Sequence, residues 1–381
     1  NYDSISGINN TLTNSNTNVV GGKGNTLTNS DNDGVTGNSN TLTDASNGSV
    51  TGNSNTLNNA DFGSITGYGS SIVNGDHNHI TGDGSYIGNG SDGNTVAGNN
   101  NRVVNSSDNN NITGNSNRMR QSSGDSVTGN SNTVDHSNNG SITGNGSYLV
   151  AGDDNHVTGN SSFAGYGDNN QVSGNHSTAG YGDYNTVVGN YSYAGGGDNN
   201  AVFGNGSVAG ADNLGNGGSG NTVMGNLSSA TDGDNNHVTG NDSYTHAGSD
   251  NSVAGNYSGV NVGDSNQITG NHSYVSNGNY NSVAGSRNQV TDSSYNSVAG
   301  YSNIVDQGSD NSVAGNFNTV VQGYRSSVTG YGNLVSNGGD NDVSGNFNTV
   351  ANGSDRNTVS GYNNKVVNSS DDNNVTGNNN R

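Results

Sequence analysis

A Val or Ile with Gly two positions later recurs from Ile5-Ser6-Gly7 to Val375-Thr376-Gly377, and successive copies stand 15 residues apart in 19 of 24 steps. A period this short and regular confines a chain to architectures in which each unit packs only on its neighbours. Four other steps are 16 residues and one is 21, where Asn213 to Gly218 read as a small protruding insertion. Within a unit, Asn stands two before this anchor in 18 of 25 cases, Gly two after it in all, Asn or Ser five after it, and an apolar residue usually seven after it. The stretch NSVAGNFNTVV from Asn311 to Val321 contains both halves of one unit.

The alternation in N-x-V-x has period two, which predicts a short strand with Asn and Val on one side. Gly and Asn between the strands supply the left-handed backbone that a tight corner needs. Two strands and two corners make one coil. The fold expected is therefore all-β, a two-sided β-solenoid of about 25 coils, continuous over residues 1–381 and without caps. At about 4.8 Å per coil it would be roughly 120 Å long.

Composition would otherwise point to disorder, with only 26% hydrophobic residues and 64 glycines. Burying two apolar side chains per coil contributes about 1.5 to 3 kcal/mol each. Ordering fifteen backbones costs on the order of 1 to 2 kcal/mol apiece. Burial alone falls short, so continuous backbone ladders and stacked Asn or Ser side chains must hold the coils together. Proline, which would break such ladders, is absent. From Ser147 to Ser273 the second corner uses Ser, and Ala164, Ala179, Ala194, Ala209 and Ala230 replace the larger apolar residue of the second wall, with Phe163, Tyr193 and Tyr244 beside them.

Charge narrows the partners. Every one of the 30 acids is Asp, against 9 Lys and Arg, giving a net charge of −21, which repels nucleic acid and anionic lipid. There is no Cys, no apolar run of membrane-spanning length, and no signal peptide or initiating Met, so the sequence reads as a mature or excised piece of an extracellular protein. The eight His do not cluster at ligand spacing, and no nucleophile–base pair stands out. An enzyme is not expected.

The residues either side of each anchor point outward and make the first wall a flat surface of small side chains. The combined pattern, x-x-N-x-V-x-G alternating with x-x-N-x-V-x-x-G, resembles the ice-recrystallisation-inhibition (antifreeze) proteins of ryegrass and related grasses. The resemblance implies a left-handed β-roll and an extracellular function, ice adsorption through the first wall. It would assign ice contact to Thr36, Ser49, Thr51, Ser64, Thr66, Thr81, Thr113, Ser126, Thr128, Ser141, Thr143, Thr158, Thr239, Thr269, Thr329 and Thr376. The chain departs from the family in its greater length, in Val188, Phe203 and Met224 interrupting the face, in Ala replacing Thr through much of the last third, and in His79, His156, His237 and Asp342 on the same face. A Thr/Ser row is also what any solvated strand prefers. The rival reading is a structural filament, stalk or adhesin rod, in which copies associate end to end through open edge strands or side by side through the Tyr-bearing second wall.

Two further patterns carry possible chemistry. Asp168, Asp183, Asp198, Asp234 and Asp264 recur at one corner and could bridge through Ca²⁺, although no calcium-roll signature accompanies them and solvated turn residues are the expectation. Asn145, Asn160, Asn175, Asn190, Asn205, Asn226, Asn241, Asn256 and Asn271 each begin an N-x-S sequon and would line one corner with glycans in a secreted eukaryotic protein. The alternative is that Ser merely fills the last place of the corner motif.

Overall fold

The computed structural model describes residues 2–210 and 217–381, so most of the insertion expected at 213–218 lies outside the described residues. All regular structure among the described residues is β-strand. The chain forms two compact units, Asn1–Asn185 and Thr186–Arg381. In the first, one wall runs from Ser4–Ile8 to Gln171–Ser173 and the other from Thr11–Thr13 to Thr178–Gly180. In the second, the walls run from Thr186–Val188 to Asn374–Asn378 and from Tyr193–Gly195 to Lys365–Val367.

Within each unit every strand pairs in parallel with the strand one coil away, anchor on anchor. Val35 stands beside Val50 and Leu42 beside Leu57 in the first unit, and Val313 beside Val328 and Val320 beside Val335 in the second. The 16-residue steps keep this register, since Ile80 still faces Val96 and Val343 still faces Val359. The extra residue is absorbed at a corner. Most coils thus contribute one inward apolar residue per wall, fully buried in pairs such as Val50 and Leu57 or Val298 and Val305, whereas Ile5 of the first coil is exposed and Thr245 takes the apolar place in another. Aromatic rings cover small neighbours on the second wall, both where its inward residue shrinks to Ala, as at Ala164 and Ala179, and where it is Thr245 or Val260. A Cβ added to Gly180 would lie 3.4 Å from the Phe163 ring, and one on Gly259 would press into the ring of Tyr244.

The rest of the interior is polar and largely satisfied from coil to coil, with Asp33 Oδ2, Asp125 Oδ2, Ser137 Oγ and Thr245 Oγ1 among the exceptions. Asn318 donates from Nδ2 to Asn303 Oδ1 at 3.2 Å and to the carbonyls of Ala314 and Gly330 at 3.1 and 2.9 Å, while its Oδ1 accepts the N–H of Asn333 at 3.0 Å. Serine does the same with fewer donors: Ser162 Oγ bonds the carbonyl of Gly174 at 2.7 Å, and its N–H donates to Ser147 Oγ at 3.2 Å. A second Asn column lies two residues before the anchors, where Asn94 donates to Asn78 Oδ1 at 3.1 Å and to the carbonyl of Ser107 at 2.7 Å. Burying so many amides is tolerable only because each finds its partners.

The invariant Gly is a steric requirement. Gly37 has φ of 129°, and a Cβ there would collide with the carbonyl oxygen of Gly52 in the next coil. Other corners place larger residues at positive φ, including Phe62 at 55° and Arg325 at 51°. Their N–H groups donate to Ser46 and Ser309 of the preceding coil at 2.9 and 3.0 Å, so stacking holds a conformation that isolated residues avoid.

Candidate functional site

The first wall of the N-terminal unit carries a near-continuous rank of threonine. Thr36, Thr51, Thr66 and Thr81 are neighbours in consecutive coils, Ala97 interrupts, and Thr113, Thr128, Thr143 and Thr158 follow. All eight are exposed. Beside them Ser49 pairs with Ser64 and Ser126 with Ser141, so two patches present hydroxyls in both ranks. The resulting grid repeats about 4.8 Å across strands and about 6.6 Å along them. Among the described residues, the hydroxyls of Thr51, Thr66, Thr128 and Thr143 have no protein partner and face solvent. His79 and His156 cover part of this wall: the His79 ring lies 3.2 Å from Thr81 Oγ1 and that of His156 2.8 Å from Ser141 Oγ.

In the C-terminal unit the expected threonines do not form a rank. Thr239 and Thr269 adjoin Ala254 and Ala284, Thr329 lies between Ala314 and Ser344, and Thr376 follows Ser360. What repeats instead is Ser with Ala, as Ser282/Ala284, Ser297/Ala299 and Ser312/Ala314. Thr239 also contacts His237 at 3.1 Å. Val188, Phe203 and Met224 stack in consecutive coils, about 40% exposed each, and make the least hydrophilic part of this wall.

One surface was read only in part from the sequence, through Thr11, Thr26, Thr41 and Thr56, and a second escaped that reading. On the second wall of the N-terminal unit, Thr11, Thr26, Thr41 and Thr56 are accompanied by a second rank of Thr13, Thr28 and Thr43. The signal was present as T-L-T three times at 15-residue spacing. In the C-terminal unit, Tyr301, Phe317, Tyr331, Phe347 and Tyr362 pack edge to face with centroids 5.3 to 5.8 Å apart. Tyr and Phe alternate between adjacent positions of the corner, so no single repeat position reveals the column.

The Asp corner serves the backbone. Asp168 and Asp183 are consecutive, the N–H of Asp168 donating to Asp183 Oδ1 at 2.7 Å. In the C-terminal unit Ser intervenes: Asp198 donates its N–H to Ser219, and Asp234 its own to Ser249, both at 3.1 Å, while Asp264 donates to Asn279 at 2.7 Å. Among the described residues no three His, Cys, Asp or Glu side chains come together as a metal site would require. The sequon residues form an exposed ladder. Asn145 donates its N–H and Nδ2 to Asn160 Oδ1 at 2.9 and 3.0 Å, Asn160 repeats this on Asn175 at 2.9 and 3.1 Å, and Asn190 donates to Asn205 and Asn241 to Asn256 at 2.9 Å. Asn226 and Asn271 accept in the same way from Asn205 and Asn256. The sequon serines, such as Ser147 and Ser273, are buried, in keeping with a corner role.

Residues 243–336 match the family model of the grass antifreeze beta roll. That segment spans the Ser/Ala rows of the C-terminal unit and includes Thr269 and Thr329 of the expected contact residues. No curated protein matches the chain. One solved structure aligned with it is a protein named as an acetyltransferase from Desulfovibrio desulfuricans G20, at 11% identity over 63% of each chain with a TM-score of 0.11, a likeness too weak to bear on fold or function. Among the described residues no helix is long and apolar enough to cross a membrane.

Proposed function

We propose that this protein binds ice from outside the cell and inhibits its recrystallisation, acting through the first wall and not as an enzyme. The reading is carried by a first wall of small side chains whose rows stay in register within each unit, hydroxyl-rich in the N-terminal unit and Ser/Ala in the C-terminal unit, where residues 243–336 match the grass antifreeze beta roll. Such a surface holds water in a repeating array, and hydroxyls without protein partners leave their hydrogen bonds to that water. The methyls of Thr and Ala between them favour release of less ordered water as a solid surface approaches. Ice contact through Thr51, Thr66, Thr128 and Thr143 is supported by their exposure and alignment, and Thr239, Thr269, Thr329 and Thr376 contribute as isolated members of a mainly Ser/Ala wall.

The test replaces Thr51, Thr66, Thr128 and Thr143 with Tyr, which breaks flatness without touching the core. Circular dichroism should stay unchanged while the protein concentration needed to keep ice grains small rises at least tenfold. Unchanged ice activity in the folded variant would reject this wall. A protein inactive in its natural form, yet assembling into threads by electron microscopy, would favour the filament.

A further inference from the structure

The best-formed Ser/Thr patches sit against an irregularity in the buried Asn column of the N-terminal unit. In the Asn coils, Oδ1 accepts the next coil's N–H and Nδ2 donates to a corner carbonyl, as Asn18 does to Ser30 at 3.0 Å and Asn110 to Ser122 at 2.8 Å. Asp33 and Asp125 occupy the same column, 2% and 1% exposed. Each is followed one coil on by a glycine, Gly48 or Gly140, whose N–H donates to the carboxyl Oδ1 at 2.7 or 2.6 Å. The other oxygen, Oδ2, stands where Asn has its donor and is buried without a hydrogen-bond partner among the described residues. Leucines of the opposite wall close the space beside them. A Cβ on Gly48 would lie 2.8 Å from Leu57 Cδ2, and one on Gly140 2.7 Å from Leu149 Cδ1.

A carboxylate with a buried, unpaired oxygen is costly, whereas the protonated acid supplies the donor this position calls for. The charges bearing on Asp33 are Asp31 and Asp61, and that on Asp125 is Asp153, all carboxylates. Lys23 on the strand next to Asp33 and Arg118 on the wall opposite Asp125 are exposed, and Arg120 and His136 are engaged by Asp135. Burial above all, then these like charges, pushes both carboxyls from 3.8 up to about 7, against the hydrogen bonds from Gly48 and Gly140 and, at Asp125, against the neighbouring Ser137 hydroxyl.

These carboxyls adjoin the face directly. Asp125 precedes Ser126-Val127-Thr128, while Gly48 and Gly140 precede Ser49-Val50-Thr51 and Ser141-Ile142-Thr143. We propose that Asp33 and Asp125 are pH-sensitive pins behind the Ser/Thr rows of the N-terminal unit: protonated, each fixes the adjoining coil, and ionised, each loosens it. The consequence for ice rests on the reading of that face given above, whereas the pin itself does not. An acid raised on folding stabilises fully below its unfolded value, and that contribution fades as pH rises from about 4 to about 7. The rows should be firmest in mild acid.

Carboxyl-carbon NMR of the full chain should show both groups titrating near neutrality, and a midpoint near 4 for both would overturn the proposal. Amide-exchange protection at Gly48 and Gly140 should fall about tenfold or more between pH 5 and pH 8, and the drop should vanish in Asp33→Asn/Asp125→Asn. If that variant fails to fold, Asp33→Ser/Asp125→Ser replaces it, because Ser326 fills the same repeat position in a coil of the other unit. An equal drop in either folded variant would overturn the pins. Recrystallisation activity, read in parallel, should be greater at pH 5 in the natural protein alone. No ice activity at either pH with the exchange difference intact would refute the reading of the face and leave the pins standing.

Discussion

At the scale of single residues the interior is ordered by amides whose every atom has a task. Asn318 is bound on both sides by neighbouring coils, so Asn318→Ala would strip the buried N–H of Asn333 of its acceptor and two carbonyls of a donor. A loss of about 2–4 kcal/mol is expected, since buried groups left without partners cost about 1–3 kcal/mol each. Asn318→Ser should lose much less, because Ser258 keeps the bond to the next corner carbonyl, at 2.8 Å to Gly270, and accepts the N–H of Ser273 at 3.1 Å. Amide exchange at Asn333 would read this ranking, and equal loss in both variants would contradict the ladder account. Glycine allows no such gradation. Gly37→Ala meets both a positive φ and a carbonyl oxygen one coil away, and should unfold its coil.

At the scale of elements, period and polarity were enough to read the strands, their parallel stacking and the inward anchors, because side-chain alternation in a strand leaves little choice about which face is buried. The first-wall Thr rank was legible for the same reason: Thr36 to Thr158 occupy one repeat position. The pins were hidden because Asp33 and Asp125 look like conservative replacements of Asn, and only the packed structure brings Leu57 and Leu149 against the glycines that follow them. The aromatic column was hidden because its rings come from two adjacent positions. That column is itself testable. Phe317 touches Tyr301 and Tyr331 edge to face at 5.5 and 5.4 Å, and such pairs contribute about 0.5–1.5 kcal/mol each. Phe317→Ser should therefore speed exchange at the Phe317 corner and its two neighbours, and leave the first-wall rows of the same coils unchanged. A change confined to the first wall would mean that the rings brace the sheet and not the corner.

At the scale of the whole molecule, what dominates is charge. With a net charge of −21 and only 9 cationic side chains, much of the acid has no counterion within the chain. It is also stacked: the N–H of Asp61 donates to Asp76, Asp76 to Asp92 and Asp92 to Asp108, at 2.7 to 2.8 Å, which sets carboxylates about one coil apart along a corner. Two charges about 4.8 Å apart repel by roughly 0.9 kcal/mol in water, and the Debye length falls from about 10 Å at 0.1 M salt to about 3 Å at 1 M. Salt should thus stabilise the fold at neutral pH, with the melting temperature rising as sodium chloride increases from 0.01 to 0.5 M. Surface repulsion and the buried pins both favour mild acid, but only the first responds to ions. Asp33→Asn/Asp125→Asn should keep the salt dependence at pH 8 while losing part of the gain on moving to pH 5. Asp76→Asn/Asp92→Asn should do the reverse, weakening the salt dependence and leaving exchange at Gly48 and Gly140 as pH-sensitive as before. If high salt abolished that sensitivity in the natural protein, the pH response would belong to the surface charge and not to the two buried carboxyls.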